Sequence, residues 1–177
     1  MSRPTSYLDA LLRTPSTTPL ESKTVEKKCY ILRGLPGAGK TYRARELSDG
    51  LSTLHCGWHN TDQYFMVTEK GKDERVYKYD HRHVQEYHDR NFNEFVKSIK
   101  QEKPIVIVDN TNTRRLDYNR YVIVARQAGY TVIEEIVGER DPETGFFTPE
   151  FIELCISRNI HKVPQETVER MAKNFEF

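Results

Sequence analysis

The residues best suited to do chemistry form one block, Gly34-Leu35-Pro36-Gly37-Ala38-Gly39-Lys40-Thr41. It matches G-x-x-x-x-G-K-S/T in full. Glycines let a backbone curl until its N–H groups surround phosphate oxygens, and a helix starting at the end of the loop adds partial positive charge. Lys40 is then the mobile cation for the β- and γ-phosphates, and Thr41 offers a hydroxyl to magnesium. ATP and magnesium are the ligands such a loop predicts.

Two carboxylates stand where phosphoryl transfer needs them. Asp109 directly follows the apolar run Ile105-Val106-Ile107-Val108. Ligands of open parallel sheets sit at the carboxyl ends of strands, so an Asp there suits the Walker-B position, holding the metal through water. Asn110-Thr111-Asn112-Thr113 follows, suited to orienting that Asp, to hydrogen-bonding a substrate or to making a turn. Asp62 ends a weaker strand and is placed to accept the proton of an attacking hydroxyl. Transferred phosphate also calls for a cation in cis. Arg158, on a late helix and ahead of a Val163-Pro164 stop, is the first candidate and Arg140 the second. His81, His83 and His88 read as a solvated polar face rather than a metal site, because only 81 and 88 share a helix face.

These groups need strands and helices to hold them. Cys29-Tyr30-Ile31-Leu32 reads as a buried strand stopped by the Gly/Pro cluster, and a helix runs from near Gly39 towards Leu47, ended by Asp49-Gly50. A second strand is expected over Leu54–Asn60. A long helix spans Asp80 to Ile99, with Val84, Tyr87, His88, Phe92, Phe95 and Ile99 near one face. Ile105–Val108 is the clearest strand. A helix over Leu116–Ala128 turns Tyr121, Val124, Ala125 and Ala128 inward and is capped by Gly129. Thr131–Val137 is a fourth strand. Thr148-Pro149 opens another helix and Pro164 the last. Strands alternating with helices predict an α/β P-loop NTPase fold: a parallel sheet of about four to five strands flanked by helices. Residues 1–27, rich in Pro, Ser and Thr, read as a flexible tail ahead of a single domain over 28–177, and Tyr7–Leu12 within it as a piece able to dock a protein partner.

The 177-residue chain is 37% hydrophobic and 30% charged, with a net charge of +1. That balance fits one globular domain and carries no general basic excess for nucleic acid. Cys29, Cys56 and Cys155 are odd in number and widely spaced, which points to reduced thiols and an intracellular setting. No apolar run is long enough for a membrane span or a secretory signal. Neither N-K-x-D nor a D-x-x-G after Asp109 occurs, which argues against a GTPase.

Four blocks occur in order: Ile31–Thr41, Asn60-Thr61-Asp62-Gln63-Tyr64-Phe65, Val108–Thr113 and Arg158-Asn159-Ile160-His161-Lys162-Val163-Pro164. The set resembles the NEDD4-binding protein 2-like P-loop family, which is similar to the kinase domain of phage polynucleotide 5′-kinase. The resemblance covers roughly residues 28–175. It implies an adenylate-kinase-like sheet with a C-terminal lid, ATP with magnesium, and transfer of the γ-phosphate to a hydroxyl, that of a polynucleotide 5′ end or a nucleoside. By that resemblance Asp62 matches the general base and Arg158 the lid arginine on the transferred phosphate. Either Asp109 or Asn110 matches the carboxylate at the third strand's end. Phe65 stands where the phage enzyme has an arginine for the acceptor phosphate. Phe65 and the near-neutral charge favour the alternative of a small-metabolite kinase. A non-catalytic ATP-binding switch or scaffold is the other alternative, and it would need neither Asp62 nor Arg158.

Overall fold

The computed structural model describes residues 26–68, 71 and 73–177. The elements are β1 (Lys28–Arg33), α1 (Lys40–Ser48), β2 (Cys56–His59), β3 (Met66–Thr68), β4 (Arg75–Tyr77), α2 (Val84–Lys100), β5 (Ile105–Asp109), α3 (Arg115–Gln127), β6 (Thr131–Ile136), α4 (Pro149–Ser157) and α5 (Gln165–Lys173). Short 3-10 turns cover Thr61–Phe65 and His81–His83. The expectations for the N-terminal segment, including Tyr7–Leu12, fall outside the described residues.

β2, β5, β1 and β6 form one four-stranded sheet in that order, all parallel. This is the P-loop arrangement the alternating pattern predicts. Side chains of β1 alternate between its two faces. Cys29 and Ile31 pack with Phe95 and Ile99 of α2 and Tyr118, Tyr121 and Ala125 of α3. Leu32 packs on the other side with Ala44 of α1 and with Ile107. A third cluster holds α4 and α5 to the phosphate loop, with Leu35 against Phe151, Cys155 and Val168.

Three details differ from the sequence reading. Tyr118 and Val122 join Tyr121 and Ala125 on the buried face of α3, while Val124 and Ala128 pack against the same core half-buried. His88 is half-buried rather than solvated, with Nδ1 3.4 Å from the Thr61 hydroxyl. A small antiparallel hairpin, β3 with β4, leaves the sheet between Asp62 and α2. Its strands have three residues each, too few for a visible period-two pattern.

Two buried polar side chains fix the sheet's upper end. Arg33 is 4% exposed and lies between the rings of Tyr118 and Phe175. It donates to the carbonyls of Asn112, Thr113 and Glu176, which ties the β5–α3 turn and residue 176 to β1. His59 is buried edge-on against Phe95, with Nε2 3.1 Å from Ser98 Oγ. Burial, helped by Lys103, pushes its imidazole down to about 4.

That depression makes a prediction with a definite sign. The folded protein keeps His59 neutral, whereas an unfolded histidine takes up a proton below about 6.5. His59 therefore costs stability as pH falls from about 6.5 to about 4, roughly 3 kcal/mol across that window. The His59→Gln variant, measured by urea unfolding at each pH, should lose less stability over that range than the wild type. Parallel pH profiles would contradict the buried neutral imidazole.

Candidate functional site

The site is built where β1 and β5 end side by side. In the parallel register Leu32 pairs with Asp109, so the loop after β1 leaves the sheet next to that carboxylate. Gly34 N–H donates to the Thr111 carbonyl at 2.9 Å, tying the start of the loop to the turn after β5. α1 starts at Lys40, so its first N–H groups face the inside of the loop. Lys40 is buried and donates to the Leu35 carbonyl at 2.8 Å. Burial lowers the affinity of its ammonium for a proton, and the charges of Asp109 and then Asp62 oppose that. The charge of both carboxylates is therefore felt at the same lysine.

Asp109 is 2% exposed. Its Oδ2 accepts from Thr41 Oγ1 at 3.0 Å, Asn60 Nδ2 at 3.0 Å and Trp58 Nε1 at 3.2 Å. Burial raises its carboxyl above the usual range, while Lys40 and the three donors pull it back. Oδ1 takes no hydrogen bond from the described residues. A carboxylate oxygen left over beside a threonine hydroxyl is the hard-oxygen pairing that suits magnesium. Asn110 has another partner, since its Oδ1 accepts from Thr61 N–H at 2.9 Å. Asn112 takes a left-handed conformation, φ 45°, and donates to the Leu32 carbonyl at 2.8 Å. The polar run after Asp109 is thus mostly turn chemistry, and Asp109 rather than Asn110 meets Thr41.

Asp62 lies in the 3-10 turn after β2, its N–H held by Asn60 Oδ1 at 2.8 Å. Its carboxylate is gripped from two sides. Tyr77 O–H of β4 donates to Oδ1 at 3.2 Å, and His161 Nε2 lies 3.5 Å from Oδ2. The Tyr77 and His161 rings are 4.1 Å apart. Desolvation, with Asp62 alongside, pushes the Tyr77 phenol well up. Phe65 is buried against Tyr77, Tyr79 and Tyr87, so it anchors the hairpin. Arg158 caps the C-terminal end of α4 and is exposed. Its charge and that of Lys40 are both felt at the Cys155 thiol, which burial raises to about 11. Arg140 instead lies over Phe177, 5.8 Å from the ring. Trp58 and Tyr77 carry no signal in the sequence, since no spacing marks them, and Asn60 stood inside a quoted block without a role. His161 stood inside a quoted block without a role.

The comparisons with known proteins agree with this fold. The family model described as an AAA domain matches residues 30–141. The chain therefore belongs to the AAA-domain family and is a P-loop nucleotide-binding domain. Human NEDD4-binding protein 2 is 30% identical over 167 residues, 90% of this chain but 8% of that protein. Human YLP motif-containing protein 1 is 26% identical over 188 residues, 96% of this chain and again 8% of the relative. The chain thus corresponds to a small part of either. Among solved structures, Chaetomium thermophilum Kti12 in complex with ADP-AlF3 shares the fold with a TM-score of 0.51 at 17% identity, covering 84% of this chain and 80% of that one. The resemblance to NEDD4-binding protein 2 seen in the four blocks is borne out. No helix among the described residues is long and apolar enough to cross a membrane.

One packing contact distinguishes the glycines of the loop. Gly37 has φ 81°, and a Cβ there would overlap the Cys155 carbonyl oxygen of α4. Gly39 has φ 95° but open space around it. Gly39→Ala should cost the ligand-free protein only the strain of a left-handed residue, about 1–2 kcal/mol. Gly37→Ala should cost at least twice that, because α4 must move. Equal unfolding midpoints in urea would contradict the packing of α4 on the loop.

Proposed function

We propose that this domain is an ATP- and magnesium-dependent phosphotransferase that moves the γ-phosphate to a hydroxyl, the 5′-hydroxyl of a polynucleotide or nucleoside. The observation that best supports this reading is a pair of carboxylates whose charge is felt at Lys40: Asp109, bonded to Thr41 at the end of the phosphate loop, and Asp62, held by Tyr77. Nucleotide binding alone calls for Lys40 and Asp109, whereas a second carboxylate opposite the phosphate loop has a use only if a proton must be removed.

In this reading the backbone of Gly34–Gly39 surrounds the phosphates and Lys40 reaches the β- and γ-oxygens. Thr41 and Asp109 would hold magnesium, which when bound neutralises charge on those oxygens. The acceptor hydroxyl approaches the γ-phosphorus on the Asp62 side. A bond forms between acceptor oxygen and phosphorus, the bond from phosphorus to the β,γ-bridging oxygen breaks, and the hydroxyl proton passes to the Asp62 carboxylate. ADP is the leaving group. Tyr77 orients Asp62 through Oδ1, which leaves Oδ2 on the lid side. Arg158, at the base of the lid, supplies a cation for the charge spread over the transferred group. His161 couples the position of the lid to the base.

The test uses γ-labelled ATP and magnesium with 5′-hydroxyl DNA and RNA oligonucleotides, nucleosides and small hydroxyl metabolites. Label should appear on a 5′-hydroxyl, and Asp62→Asn should lose transfer about a hundredfold or more while keeping its ATP affinity. Wild-type rates in that variant would remove Asp62 from the mechanism. Label only on a small metabolite would move the acceptor away from nucleic acid, and bound ATP without any transfer would make the domain a binding module.

A further inference from the structure

We infer that the free edge of β2 is a docking surface for an extended acidic peptide, which joins the sheet as an added strand. The surface neither requires the phosphotransferase reading nor bears on it.

The sheet ends on β2. A cavity of about 790 Å³ runs along that edge, with β2 as its floor, α2 as one wall and the segment after α1 as the other. α2 and α1 pack on opposite faces of the sheet, so a chain laid in this groove continues the plane of the strands. The peptide groups of β2 suit such a neighbour. In a parallel ladder the residues of a strand turn their N–H and C=O groups alternately to either side. Ile105 N–H donates to the His55 carbonyl at 3.1 Å, which sets the phase: Gly57 and His59 bond to β5, and Trp58 turns its N–H and carbonyl to the groove. Neither Trp58 group has a partner among the described residues. Cys56-Gly57-Trp58-His59 also lacks the devices that blunt an edge, since it contains no Lys, no Pro and no bulge.

The walls decide which side chains the added strand carries. Arg90, Glu94 and Lys97 lie on one stripe of α2, and all three line the groove. Lys103, in the connection from α2 to β5, is a third lining cation. Glu94 is taken by Lys97 at 2.7 Å. Arg90 lies over the Tyr64 ring and has no carboxylate within ion-pair distance among the described residues. Lys103 is half-buried, and its ammonium has neither an ion pair nor a hydrogen bond among them. Its charge is felt on the groove floor, at the Cys56 thiol and at His59. Three cations against one carboxylate are a local excess in a chain of net charge +1. The other wall offers Leu51, 41% exposed. Side chains of an added strand point alternately to the two walls, which suits acidic residues alternating with apolar ones. A nucleic-acid strand is less well served. The Tyr64 ring is already flanked by Arg90 and Tyr87, and Trp58 packs against the core with Nε1 donating to Asp109, so neither ring is free for a base to stack on.

Trp58 is the chain's single tryptophan and lies on the groove floor, so its fluorescence reports occupancy. The full chain, without nucleotide, is titrated with a capped peptide of about seven residues in which Glu and Val alternate, a length that covers a short strand. The peptide should change the Trp58 emission and slow hydrogen exchange at the Trp58 N–H. The same peptide with Lys in place of Glu should not bind. Arg90→Gln and Lys103→Gln should each weaken binding about threefold, and added salt should weaken it in the wild type. Methylation of alternate peptide nitrogens separates backbone pairing from charge alone: one alternate set should abolish binding and the other should leave it. Absence of binding, equal binding of the Lys peptide, indifference to both methylated sets, or tighter binding of a single-stranded oligonucleotide of equal charge would overturn the inference. No phosphate is transferred in this titration, so its outcome is independent of any kinase activity.

Discussion

A carboxylate taken out of water must be compensated, and the way Asp109 is compensated organises the site. It is 2% exposed and draws donors from three places in the chain: Thr41 on α1, Trp58 on β2 and Asn60 in the turn after it. Each donor belongs to a different segment of the site. Thr41 closes the phosphate loop, Trp58 belongs to the edge strand, and Asn60 holds the N–H of Asp62. Leaving such a group without one of its partners costs on the order of 1–3 kcal/mol, so the three segments are held together whether or not a ligand is bound. The order of strands does the rest. With β1 and β5 adjacent, parallel and in register, the loop and the carboxylate must share one end of the sheet.

Asp62 is held differently, and the difference fits a different task. Asp109 is buried and fixed by three donors on one oxygen. Asp62 has 45% of its side chain exposed and is steadied by Tyr77 from the hairpin and His161 from the segment after α4. A group that must take up a proton needs access to the acceptor, whereas a group that holds a cation needs only to stay in place. The hairpin and the segment after α4 both lie outside the four-stranded sheet, so the partners of Asp62 come from elements other than those that fix Asp109.

The sequence and the structure part company along a physical line. Local patterns carried what is local. The apolar runs of β1 and β5, the phosphate loop between β1 and α1, and the Thr148-Pro149 start of α4 were legible because each lies within a few consecutive residues. Thr148 does cap that helix, accepting from Phe151 N–H at 3.2 Å. Asp109 was legible because strand ends in parallel sheets are where ligands go. Tyr77 and Trp58 were not, since each reaches its carboxylate only after the chain has crossed the sheet or folded back as a hairpin, and no spacing encodes that. Arg33, next to the loop, carries no local signal for its role and proves to bind three carbonyls. Phe65 reads as a missing charge and proves to be the foot of the hairpin.

The central claim is that Lys40 and Asp62 work on the two sides of one phosphorus atom, so that phosphate goes to a hydroxyl and not to water. Phosphorus NMR of ATP, magnesium, the protein and a 5′-hydroxyl oligonucleotide measures that partition directly. ADP and a new phosphomonoester rising together, one for one, is the result this account predicts. ADP accompanied by inorganic phosphate, at a rate indifferent to the oligonucleotide, would contradict it.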